Sequence, residues 1–285
     1  MKLKITRAKS AGFCFGVKRA IEIALKAAGQ HLTIEMLGDI VHNQDVCRQI
    51  TASGVKKIKT LKKGQNKTLL VRAHGIPLKA LKEAKKLGYK IIDATCPMVK
   101  EIHKVAVRME REGRRVIVIG DKNHAEVQGI VGHLKSTVLI IENQRNLPLS
   151  AIKKIKKAGL VVQSTQNTEK VADICELLRN YIPDLKCFNT ICTPTRKKQS
   201  EIRSLAIKNG LMVIIGSKAS ANTRRLYEIS KSLNRRTYWV QSSKDLKKIW
   251  LKGVVKIGVA AGASTPDYTT QEIIKQIRTL TKAGW

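Results

Sequence analysis

Acidic side chains are scarce in this 285-residue chain: 21 Asp and Glu stand against 55 Lys and Arg, for a formal net charge of +34. Aromatic residues make up only 4%, and Gly (19) and Pro (6) are too few and too scattered to form a flexible linker. Uninterrupted apolar runs end at about five residues, as in Leu211 to Ile215, so no segment is long enough for a membrane-spanning helix. The basic start MKLKITRAKS leads into no apolar signal segment. The expected compartment is therefore the cytosol, where cysteines stay reduced. None of the six Cys forms a CxxC pair, which removes a local zinc site and a ferredoxin-type run. No Walker loop or GxGxxG fingerprint is found either, so nucleotide binding is not indicated.

What the chain does contain is enough apolar residue, 43%, to exclude a disordered polycation. A chain this long buries a sizeable core in one to three domains. The positive charge suggests nucleic acid as a first reading, but its distribution argues otherwise. Net excesses of +14, +6 and +14 fall in residues 1–96, 97–192 and 193–285, and no basic run is longer than Arg196-Lys197-Lys198. Few aromatics are available to stack on bases. A Lys-rich solvated surface, with no specific nucleic-acid site, is the expectation.

Short runs rich in Val and Ile alternate with amphipathic stretches. Strands are predicted at residues 68–73, 90–94, 115–119, 160–163, 212–216, 237–241 and 256–261. Helices are predicted where apolar residues recur at i, i+3, i+4 and i+7, as from Val17 to Ala28 before Gly29, from Leu78 to Leu87 before Gly88, and from Met98 to Glu112 before Gly113. Such alternation implies an α/β architecture with a mainly parallel sheet.

Three cysteines sit in related settings. Cys14, Cys96 and Cys192 lie in GFCFG, DATCPMVKEI and NTICTPTRKKQ, each before a predicted helix, and the last two follow predicted strands. Their spacing suggests three similar α/β modules, 1–96, 97–192 and 193–285, each offering one thiol where a strand passes into a helix. Ligands bind at that corner of an α/β unit, and a helix N-terminus there favours a thiolate or a bound anion. Three converging thiolates are compatible with a [4Fe–4S] cluster held at three corners, its fourth iron open to a substrate oxygen. Cys47, Cys175 and Cys187 read as small apolar residues.

Among the six histidines, His31, His103 and His133 have ordinary surroundings. His42 (Val-His-Asn), His74 (Arg-Ala-His-Gly-Ile-Pro) and His124 (Asn-His-Ala-Glu-Val-Gln-Gly) lie in turns, and Glu126 follows His124 by two residues. This suits an anion pocket with a proton donor. Two further turns, 216–222 and 262–266, offer hydroxyl, amide and backbone N–H donors.

Taken together, AGFCFGVKRAI, VHN, RAHGIP, DATCP, NHAEVQG, NTIC, GSKASANTRRL and AGASTPD resemble, in order and over nearly the whole chain, the LytB family of 4-hydroxy-3-methylbut-2-enyl diphosphate reductases. The resemblance implies three similar α/β modules in pseudo-threefold arrangement around a central iron–sulfur cluster. It implies Cys14, Cys96 and Cys192 as ligands of a [4Fe–4S] cluster whose fourth iron is open to substrate. It implies His42, His74 and His124 around the substrate diphosphate, with Ser220, Asn222 and Ser264, and Glu126 as proton donor. Where the family usually has Gln-Thr-Thr, this chain has Gln163-Ser164-Thr165; a hydroxyl of Ser164 or Thr165 would contact the substrate alcohol and relay protons. Where many relatives have Ser-Ser-Asn, Ala221 leaves only a backbone N–H.

The reaction so implied is a two-electron reductive dehydroxylation giving isopentenyl and dimethylallyl diphosphate, the last step of the methylerythritol phosphate route. An outside electron donor, a ferredoxin or flavodoxin, is expected, and such acidic carriers suit a basic surface. Two other readings stay open: a basic RNA- or DNA-binding protein that keeps the fold without activity, and a hydratase of the three-cysteine, open-iron type.

Overall fold

The structure, a computed structural model, describes residues 3–30, 33–63 and 66–282. The chain opens with strand β1 (Lys4–Arg7) and helix α1 (Phe15–Ala28). Next come β2 (Thr33–Leu37), α2 (Gln44–Ala52), β3 (Lys56–Ile58), β4 (Lys67–Val71), α3 (Leu78–Lys86), β5 (Lys90–Asp93) and α4 (Pro97–Arg111). The pattern repeats as β6 (Arg115–Ile119), α5 (Ala125–Val131), β7 (Leu139–Ile141), α6 (Leu149–Ile152), β8 (Lys157–Val162), α7 (Thr168–Arg179), β9 (Asp184–Cys187) and α8 (Thr193–Lys208). It ends with β10 (Leu211–Ile215), α9 (Ala221–Leu233), β11 (Thr237–Val240), β12 (Lys256–Ala261) and α10 (Asp267–Lys282). No described helix is long and apolar enough to cross a membrane.

These strands form three four-stranded sheets, ordered β3-β2-β4-β5, β7-β6-β8-β9 and β11-β10-β12-β1. Every pairing in them is parallel. Parallel sheets covered by helices bury both faces of their inner strands, and all of Leu-Met-Val-Ile-Ile in β10 is buried. Side chains such as Ile117, Leu160 and Ile174 in one sheet's core, and Val213, Val259 and Ile273 in another's, are at most 2% exposed. Each such side chain contributes about 1.5–3 kcal/mol through burial.

All three sheets share the order second-first-third-fourth. The third reaches it by an exchange along the chain, because its fourth strand is β1. Residues 4–7, which the expected division at 1–96, 97–192 and 193–285 groups with the first module, pair with β12 from Lys4↔Lys256 to Arg7↔Val259. Without β1 the outer edge of β12 would present unpaired N–H and C=O groups. The described chain divides into two compact units: residues 1–17, 42–46 and 193–285 hold the β1 sheet, and residues 18–41 and 47–192 hold the other two.

A strand order of this kind places a topological switch point between the first and third strands, whose following loops diverge and open a crevice. In the third sheet the first of those loops starts at Gly216, with φ of +144°. A Cβ there would lie 2.7 Å from the hydroxyl oxygens of both Thr223 and Thr265. Gly216→Ala is expected to cost about 2 kcal/mol, read as a lowered thermal midpoint.

Candidate functional site

Three sets of loops repeat the same construction. After the first strand of each sheet comes a glycine whose N–H donates to the last carbonyl of the neighbouring second strand. The pairs are Gly38 to Ile58 (3.3 Å), Gly120 to Ile141 (3.0 Å) and Gly216 to Val240 (3.0 Å). Four residues beyond each glycine stand His42, His124 and Ser220; six beyond stand Gln44, Glu126 and Asn222. Three residues beyond the third strands stand His74, Thr165 and Ser264. Nearly every polar residue expected to meet substrate thus lies at the switch point of its own sheet.

The cysteines repeat as well. Each follows its sheet's fourth strand, and each backbone N–H donates to the carbonyl two residues past the third strand. The bonds run from Cys96 to Ala73 (2.9 Å), Cys192 to Ser164 (3.1 Å) and Cys14 to Ala263 (3.1 Å). All three thiols are half-buried, and each directly precedes a long helix: α4, α8 and α1. These are soft sulfur donors at reachable positions, each at a helix N-terminus, where an anionic ligand is favoured. That chemistry fits iron–sulfur ligation. The other cysteines occupy different settings. Cys47 donates to the Val41 carbonyl at 3.2 Å, and Cys175 and Cys187 pack beside a hydrophobic core.

The Cys14 turn is clasped from α8. Lys198, 4% exposed, donates to the carbonyls of Ser10, Gly12 (3.0 Å) and Ala261 (3.2 Å). One turn further along α8, the Glu201 carboxylate accepts from the Lys9 N–H (3.0 Å), the Ser10 N–H (2.8 Å) and the Ser10 hydroxyl. The sequence reading takes the run at 196–198 as solvated surface. Lys198 departs from it because three carbonyls take the place of water around its ammonium.

In the second sheet Glu126 lies on α5, 2% exposed. Its Oε1 accepts from the Ser164 N–H at 2.6 Å and its Oε2 from the Ser164 hydroxyl at 2.8 Å. Burial raises the carboxyl's pKa, against the lowering effect of those two bonds. A carboxyl shifted in this direction keeps its proton to higher pH than an exposed one, which suits a proton donor. The adjoining Thr165 hydroxyl is engaged elsewhere, accepting from the Gln163 amide at 3.0 Å. Of the two hydroxyls left open by sequence, Ser164 is the one bonded to Glu126.

His124 caps α5, its Nδ1 accepting from the Glu126 N–H at 3.2 Å. Nε2 is thereby the nitrogen that carries a proton in the neutral ring. The rings of His74 and His124 meet edge to face with centroids 5.5 Å apart, joining the loops of the first two sheets. In the β1 sheet, Ser220 caps α9 by accepting from the Thr223 N–H (3.3 Å). Asn222 accepts from the Ala263 N–H (3.0 Å), and the Ser264 hydroxyl donates to the His42 carbonyl (3.2 Å). Asn43, which sequence reading passed over, accepts from the Val46 N–H at 3.1 Å and fixes the turn at His42. Ala221 opens α9 with its side chain buried. His31 lies outside the described residues.

Comparison with known proteins fits this geometry. Residues 5–278 match the LytB protein family. The 4-hydroxy-3-methylbut-2-enyl diphosphate reductase of Geobacter metallireducens is 38% identical over 282 residues, covering 99% of each chain. That of Aquifex aeolicus is 36% identical, covering 95% of this chain and 94% of its own. A solved structure of (E)-4-hydroxy-3-methyl-but-2-enyl diphosphate reductase, described as the terminal enzyme of the non-mevalonate pathway, is 36% identical. It superimposes with a TM-score of 0.70 over 97% of this chain and 99% of that one. The Plasmodium falciparum reductase structure, 31% identical, superimposes with a TM-score of 0.88 over 96% of this chain and 88% of its own. This chain belongs to the LytB family.

Proposed function

We propose that this protein reduces 4-hydroxy-3-methylbut-2-enyl diphosphate to isopentenyl and dimethylallyl diphosphate. Its relatives carry that reductase activity in their names, and family membership makes the chain an oxidoreductase of this class. The observation that carries the reading to particular residues is the equivalence of Cys14, Cys96 and Cys192, three thiols in one structural position of three like sheets. They are the proposed ligands of a [4Fe–4S] cluster with one iron open to substrate. When bound, that cluster supplies two electrons, one at a time, and Lewis acidity toward the alcohol.

The protein's own groups bind the anion and handle protons. Each turnover takes two electrons and two protons, breaks the allylic C–O bond, and releases water. His42, His74 and His124 receive the diphosphate, with Ser220, Asn222, Ser264 and the Ala221 N–H as further donors. His124 donates through Nε2, because Nδ1 is committed to its helix. Glu126 protonates the departing hydroxyl through Ser164. The serine O–H donates to Glu126 in the ionised state; when the carboxyl is protonated, the same hydroxyl accepts from it and donates onward. One proton thus leaves as water and the second reaches the allyl carbon. The electrons come from a one-electron carrier such as a ferredoxin or flavodoxin in the cytosol, and an acidic carrier suits a surface of net charge +34.

Anaerobically reconstituted protein, given the hydroxylated diphosphate and reduced methyl viologen, is expected to release both isoprenoid diphosphates. Addition of water to the substrate instead would assign a hydratase. Iron-free, colourless protein after reconstitution would overturn the reading altogether.

A further inference from the structure

A cavity of about 780 Å³ opens among α3, β5 and α4, within the unit that holds the first two sheets. Its apolar surface comes from Val71, Ile76, Ile91 and Val107. Lys85, Lys104, Arg108 and Arg111 line it as cations. Its one lining carboxylate, Asp93, is paired with Lys100 at 2.6 Å, and Lys104 has Glu101 at 3.9 Å, so the excess positive charge of the cavity rests chiefly on Lys85, Arg108 and Arg111. None of these cations belongs to the substrate machinery described above.

A largely buried histidine forms part of the same wall. His103 lines the cavity from α4, is 7% exposed, and has its Nε2 buried with no hydrogen-bond partner. Sequence reading expects an ordinary satisfied or surface histidine here, and the structure leaves this nitrogen unsatisfied. Burial and the stacked ring of His133, 4.1 Å away, push its pKa down to about 4, so the ring is neutral near pH 7. A buried polar nitrogen without a partner carries a cost; this one lies toward Gly129 and Gly75, behind the ring that walls the cavity.

We propose that this cavity binds an amphiphilic phosphorylated anion, with a phosphate or diphosphate head on the four cations and an apolar chain along the valine and isoleucine surface. Arginine suits a phosphate because its planar fork matches the oxygens. The apolar part distinguishes the site from a simple anion trap, since inorganic pyrophosphate would leave that surface uncovered. His103 also gives the occupant a neighbour in the main site. A Cβ at Gly75, the residue after His74, would lie 3.1 Å from His103 Cε1 and 3.3 Å from Thr95 Cγ2, and Thr95 precedes Cys96. An occupant packed against the His103 ring therefore bears on the turns that carry His74 and Cys96.

Isothermal titration of the full chain with farnesyl diphosphate tests the proposal. Saturable binding is expected, weakened about tenfold or more by Lys104→Glu combined with Arg108→Glu, and unchanged in His124→Ala. Val107→Trp fills the cavity without altering its charge and is expected to lose binding too, while circular dichroism of each variant verifies the fold. Inorganic pyrophosphate is expected to bind far more weakly, and equal affinity would overturn the apolar half of the site. Undiminished farnesyl diphosphate binding in both cavity variants, or loss only in His124→Ala, would overturn the proposal. Phosphatidylglycerol vesicles serve as a parallel arm. Vesicle binding abolished by the double variant would support the cavity with a lipid head as its source, whereas soluble-probe binding alone supports a free ligand.

Discussion

Cys96→Ala, Cys192→Ala and Cys14→Ala are each expected to strip most of the iron from anaerobically reconstituted protein, while Cys175→Ala leaves it at the wild-type level. The reason is positional. Only the first three thiols stand at a strand-to-helix corner with the backbone N–H tied to the loop of the third strand. Cys175 lies within α7 and packs beside a hydrophobic core. Replacing an outer-sphere partner of a metal ligand already costs about 10–100-fold in affinity, and losing a ligand atom should cost at least as much. Iron and sulfide analysis with absorbance near 400 nm reads the outcome, and thermal melting of the metal-free proteins separates ligand loss from misfolding. Full iron content in any of the three variants would remove that cysteine from the ligand set.

Glu126→Gln should retain the cluster and lose turnover by about 10²–10⁴-fold, the range of a lost general acid. Glutamine keeps the size and can still accept from the Ser164 N–H, so binding of the diphosphate should change little. The pH behaviour distinguishes a chemical role from a structural one. Burial raises the Glu126 pKa above its ordinary value of 4.5, so the native state holds this proton to higher pH than the unfolded chain does. Between the two values the native state binds more protons, and stability therefore falls as pH rises. The glutamine variant has no proton to lose there, so its melting temperature should depend less on pH across that interval. Wild-type turnover should decline as pH rises through the raised value, and the variant's residual rate should lack that limb. Undiminished turnover would exclude the assignment.

Most strands buried on both faces were legible from sequence, because a short Val- and Ile-rich run has few other uses; β2 (Thr33–Leu37), whose run is broken by Glu35, was not. Those at Arg115–Ile119 and Lys256–Ala261 end on the predicted residues, and α1, α3 and α4 were marked by apolar periodicity closed by Gly29, Gly88 and Gly113. Edge strands were legible only in part: β5 and β11 fall on the predicted runs at 90–94 and 237–241, but other edges do not. Lys4–Arg7, Lys56–Ile58 and Leu139–Ile141 have three or four residues each, too few for alternation to register. The polar residues were visible as turn motifs, but the pairing of Glu126 with Ser164 spans 38 positions and exists only once the sheet has formed. Lys198 illustrates the opposite failure. Inside a basic run it looks like surface, and only the fold brings three carbonyls to it.

The loan of β1 to the last sheet has a consequence for synthesis on the ribosome. Both sheets of the middle of the chain are built from consecutive segments and can form as they emerge. β1 must wait for β12, whose pairing with it begins at Lys256, and at ordinary elongation rates that delay is on the order of 10–50 seconds. Cys14 waits with it, since its backbone is fixed by Ala263. Under the proposed ligation by Cys14, assembly of the cluster would be a late event, completed only after Ala263 has emerged. A circular permutant that carries the first strand directly after α10 would make all three sheets contiguous and remove the delay.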